Sequence, residues 1–420
     1  MPLKIGLTRG HLVSDPAVVR RVLLDNIDNY DKHTPAFDAV RVVLGNGMLT
    51  SGGAFWKRQR RIAQPAFHGE SVRHFAPVIS RLAAEMAAEW ERAAAAGESV
   101  DACTDMMRVT LRIVAETLFG DDLAGAAAEI NRVFPMILAC LAARVVSPIR
   151  PPLWLPTANN RRLRPALQSL STIVEGLIAT KRRRLAAGSG PPDRRRDLLT
   201  ILMLARDAET GEAMSDAQLR DEVMTLMIAG HETTANALSW LWFLLDRHPD
   251  EQERLRAELV AATGGRAPTV EDLPQLPRLK AVIQETLRLY PPVWMFDRRA
   301  LGPDDLGGTK VAKEDLVIFC PYAIHRLPEL WPDPEAFRPE RFEAGREEQK
   351  NKFAYLPFSA GPRTCIGNSF AMIESQIIVG TLLSRFRVRL ADPTPIIPKP
   401  RVTLRTSRPV ILRLELAPLA

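Results

Sequence analysis

The sequence predicts a mainly α protein with a smaller β-rich part, and three observations carry that expectation. Helical periodicity dominates from about residue 54 to residue 290, while strand-like pieces collect at the start, around 293–320 and after 386. A capping-box pattern, Ser215-Asp216-Ala217-Gln218, opens an apolar-rich run with nothing to stop it before His248-Pro249. At roughly 1.5 Å per residue that helix is about 50 Å long, enough to cross a whole domain. A further apolar-periodic run, 366–386, follows a cysteine set between two glycines. No internal repeat is visible. The strongest breaker, 186–193, reads as an exposed loop between helices and not as a domain boundary.

A chain of 420 residues can bury a large core, and 46% apolar with 25% charged residues excludes a disordered or collagenous protein. Cysteines 103, 140, 320 and 365 form no C-x-x-C pair, which excludes a disulfide framework and a structural zinc site. Cys103, Cys140 and Cys320 read as small buried hydrophobes. The first ten residues lack the apolar region of a signal peptide or anchor, so a soluble, cytoplasmic protein is expected. The stretch Val223 to Leu245 is apolar enough to resemble a membrane span. His231, Glu232, Thr233, Thr234 and Asn236 at its centre make it a core helix instead. The net charge of +7 is spread over separate clusters (57–61, 161–164, 181–184 and 194–196) without interleaved aromatics. That pattern excludes nucleic acid as the leading partner and leaves a solvated face or docking to an acidic protein.

Cys365 has a special setting. In Phe358-Ser359-Ala360-Gly361-Pro362-Arg363-Thr364-Cys365-Ile366-Gly367 it lies directly ahead of the 366–386 helix, whose first turn aims N–H groups and a positive dipole end at the sulfur. Such a potential sustains a thiolate able to bind a metal. Gly361 and Gly367 permit the left-handed or crowded backbone that lets those groups approach. Arg363 is placed to bind a carboxylate beside the metal. The plainer alternative is a buried structural thiol.

Three more constellations accompany it. In Ala229-Gly230-His231-Glu232-Thr233-Thr234, Gly230 costs helix stability unless something needs the room, and Glu232 is costly to bury without a purpose. An acid and an alcohol at the end of a cavity can relay protons; alternatively, the hydroxyls bond back to the helix and the acid reaches water. A zinc-protease H-E-x-x-H is excluded because position 235 is Ala235. Glu285 and Arg288, at i and i+3, share a helical face and can pair. Trp56 and Arg60, at i and i+4, bring an indole N–H and a guanidinium to one side, suited to one carboxylate, or else are a core tryptophan and a surface arginine.

Read as F-x-x-G-x-R-x-C-x-G (358–367), A-G-x-[D/E]-T (229–233), E-x-x-R (285–288), P-x-x-F-x-P-E-R-F (334–342) and W-x-x-x-R (56–60), these patterns resemble the cytochrome P-450 superfamily, in the family's order, as in a soluble bacterial-type member. The resemblance implies one catalytic domain over 1–420, a triangular helical prism with a small β-rich lobe. Haem b would lie between the long central helix and the Cys-ligand helix. It implies Cys365 as axial ligand of the haem iron, with Phe358, Gly361, Arg363, Gly367, Trp56, Arg60 and Arg298 around the cofactor, Arg299 competing with Arg298 for its role. Ala229, Gly230 and Thr233 would open a groove for dioxygen, and Glu232 with Thr233 would deliver protons. Glu285, Arg288 and Arg341 would form a structural network holding the cysteine loop.

The implied activity is monooxygenation, hydroxylating or epoxidising an organic substrate with O2 as co-substrate. Electrons come ultimately from NAD(P)H through a separate ferredoxin or flavodoxin with its reductase. An acidic carrier would dock near Lys57, Arg58 and Arg61, on a monomer with no membrane anchor. The segments that would line the pocket (37–48, 134–142, 224–229 and 293–296) are mainly apolar, so a fatty acid, terpenoid, steroid or macrolide-like substrate is expected. Gln64-Pro65-Ala66-Phe67-His68 tilts this toward fatty-acyl or isoprenoid chains. A haem-thiolate isomerase or peroxygenase, and a non-catalytic haem-binding sensor, are the alternatives. Relative to the family, the chain is expected to be short before His11 to Pro16.

Overall fold

Ser215 Oγ accepts from the Gln218 amide at 3.2 Å and Gln218 Oε1 accepts from the Ser215 amide at 2.7 Å, closing the expected capping box. The helix it opens, Asp216–Arg247, ends where Pro249 begins the next one. Side chains are buried on nearly every face of it between Val223 and Leu245, the pattern of a helix through a core and not along a surface. The computed structural model describes residues 1–5, 8–120, 127–147, 149–187, 197–343 and 351–417. The breaker's residues 188–193 fall outside that range.

Helix Ala102–Phe119 runs against the central helix, tied to it by Thr110 Oγ1, which donates to the His231 carbonyl at 3.2 Å. The cysteine helix, expected over 366–386, spans Asn368–Leu383 and packs on Ala76–Ala95 and on Pro277–Leu289. It stops early because Ser384 closes its last turn through Gly380 and Thr381, after which Phe386 starts a buried strand. Trp90, Trp240, Trp242 and Phe386 fill the core between these elements. A second core, around Phe119 and Phe134, joins helices Ala127–Val146 and Ala158–Ala186 to the first half of the central helix.

The β-rich part gathers pieces far apart in sequence. Pro2–Ile5, Thr8–Val13, Leu316–Phe319, Phe296–Ala300 and Tyr30–Asp31 form one five-stranded sheet in that spatial order, with Thr8–Val13 parallel to Leu316–Phe319. Phe386–Leu390 and Ile411–Leu416 pair antiparallel and take in Val100–Asp101, a short strand inside the helical half. The hairpin Pro398–Pro400 with Leu404–Thr406 reaches back to the middle of the central helix, where the Trp240 indole donates to the Leu404 carbonyl at 3.1 Å.

Candidate functional site

Gly361 sits at φ +69°, and a Cβ there would stand 2.0 Å from the Leu23 carbonyl oxygen, so only glycine lets the loop turn at this point. The turn Gly361–Arg363 follows, and the Cys365 amide donates to the Phe358 carbonyl at 2.9 Å. Gly367 departs from the expectation of a strained position. Its φ is −88°, and a Cβ would meet the Cys365 sulfur at an ordinary 4.0 Å. Its contribution is an amide that donates to that sulfur. Cys365 is exposed, but within a cleft that protein surrounds: burial pushes its thiol up, opposed by the Gly367 amide and the charges of Arg60 and Lys32. Cys140 is buried as expected, whereas Cys103 and Cys320 are only half-buried.

Four cations converge near this thiol. The Arg363 guanidinium stacks 3.9 Å from the centre of the buried Trp56 ring and donates to the Ser51 carbonyl at 2.8 Å. Arg298 is buried and donates to the Asp297 carbonyl at 2.7 Å. Arg299, its neighbour on the strand, points the other way into ion pairs with Asp31 and Glu314, which separates the two candidates. Arg60, one turn beyond Trp56, is half-buried. The fourth, Lys32, carries no sequence motif. It is buried and donates to the Leu49 carbonyl at 3.1 Å.

Burial, reinforced by mutual repulsion in Lys32 and Arg363, lowers all four: Lys32 well below its ordinary range, Arg298 to about 10, Arg363 to about 9, and Arg60 by burial alone. None forms an ion pair among the described residues. Desolvated cations of this kind call for an anion, and haem would fit both features, its iron meeting the Cys365 sulfur and its two propionates the cations.

Glu285 and Arg288 are fully buried and meet in a two-pronged bridge of 2.7 and 2.8 Å, with Arg341 Nε 3.4 Å from the same carboxylate. Arg288 also donates to the carbonyls of His325, Pro334 and Ala336. His325, which no motif marked, completes the connection. Its Nδ1 faces the Arg288 carbonyl at 3.0 Å and its Nε2 accepts from the Leu356 amide at 2.8 Å, two residues before Phe358. Burial lowers its pKa to about 3, so the ring is neutral, with Nδ1 the donor. Through His325 the network reaches the backbone just ahead of the cysteine loop.

The central helix gives its motif residues partners that the motif itself did not show. Thr233 Oγ1 donates back to the Ala229 carbonyl at 2.8 Å, and the room at Gly230 is taken by Val114, whose Cγ2 would lie 3.1 Å from an added Cβ. Glu232 is buried but turned toward the terminal hairpin. Thr403 donates to it at 2.6 Å and Arg405 at 2.5 and 3.0 Å. Neither hairpin residue was legible, because a contact 171 residues away leaves no local signal. Lys57, Arg58 and Arg61, near which an acidic carrier is expected to dock, pair with Asp28, Glu212 and Asp207 respectively.

Comparison with known proteins follows the same lines. The family model "Cytochrome P450" matches residues 1–413. The chain is 37% identical to cyclooctatin synthase of Streptomyces melanosporofaciens, over 96% of this chain and 85% of that protein. It is 36% identical to cyclooctat-9-en-7-ol 5-monooxygenase of the same organism, over 92% and 82%. Its fold superposes on the haem domain of cytochrome P450DA with a TM-score of 0.88 at 25% identity, covering 99% of this chain and 90% of that one. No helix among the described residues is long and apolar enough to cross a membrane. With the cysteine loop, its cation ring and its supporting network all in place, the chain belongs to the cytochrome P450 family and is a P450 monooxygenase.

Proposed function

We propose that this monooxygenase hydroxylates or epoxidises a lipophilic small molecule of the terpenoid class. The observation that carries the catalytic part is the exposed Cys365 thiol at a helix N-terminus, beside two buried cations, Lys32 and Arg298, and two half-buried ones, Arg60 and Arg363, none ion-paired among the described residues. The substrate class is supported by the apolar side chains lining the first half of the central helix, Met224, Met227 and Ile228 against Phe134 and Leu138, and by the two relatives acting around a cyclooctatin skeleton.

Cys365 would hold the haem iron, with the Gly367 amide steadying the thiolate. Lys32, Arg60, Arg298 and Arg363, backed by Trp56, would hold the propionates. Thiolate-ligated haem supplies dioxygen activation when bound: two electrons and two protons turn one oxygen atom into water while the other enters a C–H or C=C bond. Glu232 and Thr233 would bring the protons. Glu232 takes them up on the Arg405 side, where that guanidinium is 39% exposed, and Thr233 passes one on once its hydroxyl turns from the Ala229 carbonyl. Electrons, ultimately from NAD(P)H, would arrive from a separate ferredoxin or flavodoxin serving a cytoplasmic, monomeric, single-domain enzyme.

The first test is the carbon monoxide difference spectrum of the reduced protein. A strongly red-shifted Soret band is expected, and a band typical of histidine or neutral thiol ligation would overturn the reading. Reconstitution with ferredoxin, its reductase and a terpenoid panel should then give electron-dependent oxygenated products. Turnover with peroxide alone would favour a peroxygenase, and turnover insensitive to salt would count against an acidic electron carrier.

A further inference from the structure

The central helix carries a stacked aromatic pair that oxygenation of a substrate does not use. Trp240 is fully buried, and its indole lies parallel to the ring of Tyr290, with 3.9 Å between centroids and 5° between planes. The indole N–H donates to the Leu404 carbonyl at 3.1 Å, which fixes the ring. Tyr290 caps the helix Pro277–Leu289 and is half-buried. Its hydroxyl has no protein partner among the described residues and is not among the buried unpartnered groups, so it is open to water. Farther out, the Arg326 guanidinium lies 5.8 Å from the centre of the Tyr290 ring and 3.8 Å from that of Tyr322, which is half-buried too. The chain has only four tyrosines, and two of them stand on this one line.

The inner end of the line faces the reaction site. Trp240 is seven residues beyond Thr233. Seven residues advance about 10 Å along the helix and return to within about 20° of the starting face, so the indole shares the side of the helix that carries the Thr233 hydroxyl. The other indole pair is different: Trp90 and Trp242 meet at 57°, both fully buried, with no tyrosine ring against either among the described residues. Packing asks for a ring at position 290. It does not ask for a phenol open to water. The wall of the reaction site also has something to lose, because Met224 and Met227 are thioethers that oxidise to sulfoxides.

We propose that Trp240, Tyr290 and Tyr322 form an electron-donating line that quenches the bound haem when it is oxidised with no substrate in place, a protective function separate from oxygenation. Indole and phenol are the ring side chains that give up one electron most readily, and two parallel rings in contact delocalise the charge left behind. Trp240 gives one electron to the over-oxidised haem. Tyr290 returns one to Trp240 as its O–H bond breaks, the proton passing to water. Tyr322 refills Tyr290, whose oxygen recovers a proton from water while the Tyr322 proton is released, and a thiol in solution restores Tyr322. Over two passages two thiols become one disulfide, and their two electrons and two protons end in one water. The inference rests on the haem-thiolate reading and is independent of the substrate class.

Hydrogen peroxide added to the haem-loaded protein without substrate supplies the oxidising equivalents for the test. Rapid-freeze electron paramagnetic resonance should show a tyrosyl signal, identified by its narrowing with ring-deuterated tyrosine, and Tyr290→Phe should abolish it. That variant keeps the stacked ring and removes only the O–H, so its melting temperature should not move. Peptide mass spectrometry should find oxidation at Tyr290 and Tyr322 in the unaltered protein and at Met224 and Met227 in Tyr290→Phe, with faster bleaching of the haem. Trp240→Phe should lose the signal as well. A tyrosyl signal that survives Tyr290→Phe overturns the proposal, as does an oxidation map that the variant leaves unchanged. The carbon monoxide spectrum separates the two ways of failing. A red-shifted band with no tyrosyl signal overturns the proposal alone, whereas absence of that band overturns the haem reading and the proposal with it.

Discussion

Two clusters of largely desolvated cations, one around Glu285 and one around Cys365, obey opposite rules. Around Glu285 every charge is answered: Arg288 has a carboxylate and three carbonyls, and Glu285 accepts from Arg288 and from the Arg338 amide, with Arg341 alongside. Around Cys365, Lys32, Arg60, Arg298 and Arg363 meet carbonyl oxygens, a ring face and one another, with no ion pair among the described residues. The difference teaches how to tell architecture from recognition. A closed network of buried charge holds a shape, whereas a buried cation set without counter-charge marks where an anion binds.

The largest expected effect breaks the closed side. Arg288→Ala or Glu285→Ala strands a buried charge and should cost about 3–5 kcal/mol, seen as a collapse of soluble yield or of the chemical-denaturation midpoint. Replacing the pair together by Glu285→Leu and Arg288→Met should cost clearly less than either single change. A double variant as unstable as the singles would show that packing, not charge, dominates there.

Glu222 probes the same rule with an acid that has no ion pair among the described residues. It is buried on the central helix and accepts from the Met48 amide at 3.0 Å, and burial raises its pKa from 4.5 to about 8. Between those values the folded chain keeps a proton that the unfolded chain has released, so stability falls as pH rises from about 4.5 to 8 and then levels off. Glu222→Gln should remove that slope, which reaches about 1.4 kcal/mol per pH unit inside the window. Parallel denaturation curves for both proteins across pH would refute it.

On the open side the sign reverses. Arg298→Met should leave the stability of the haem-free chain within about 1 kcal/mol, because no ion pair is broken, while weakening haem retention about tenfold. Haem transfer to apomyoglobin measures the second quantity and calorimetry the first. A large loss of apo stability with normal haem retention would place Arg298 in the architectural class. Smallest is Gly230→Ala. Crowding of Val114 offsets the gain in helix propensity, leaving a net change of less than about 1 kcal/mol, and a clear stabilisation by thermal melting would mean that Val114 yields freely.

What could be read in the chain by itself was whatever depends on neighbours within a turn or two. The Ser215 capping box, the Cys365 loop with Gly361, the Glu285–Arg288 spacing and the Trp56–Arg60 spacing all survive into the structure because i, i+3 and i, i+4 geometry is local. Partnership across the fold was not legible. Lys32 joins the cation ring from an isolated position. His325 links two segments of the closed network, and Arg405 turns Glu232 toward a hairpin 173 residues away. Glu374 on the cysteine helix is fully buried, and desolvation pushes its carboxyl far up. The same limit explains Arg298 against Arg299. Alternation along a strand makes one of them face inward, but only the pairing of Phe296–Ala300 with Leu316–Phe319 and Tyr30–Asp31 decides which. Chemistry that needs a motif is written locally. Which charges are buried, answered or left open depends on desolvation and on contacts that exist only after the chain has closed on itself.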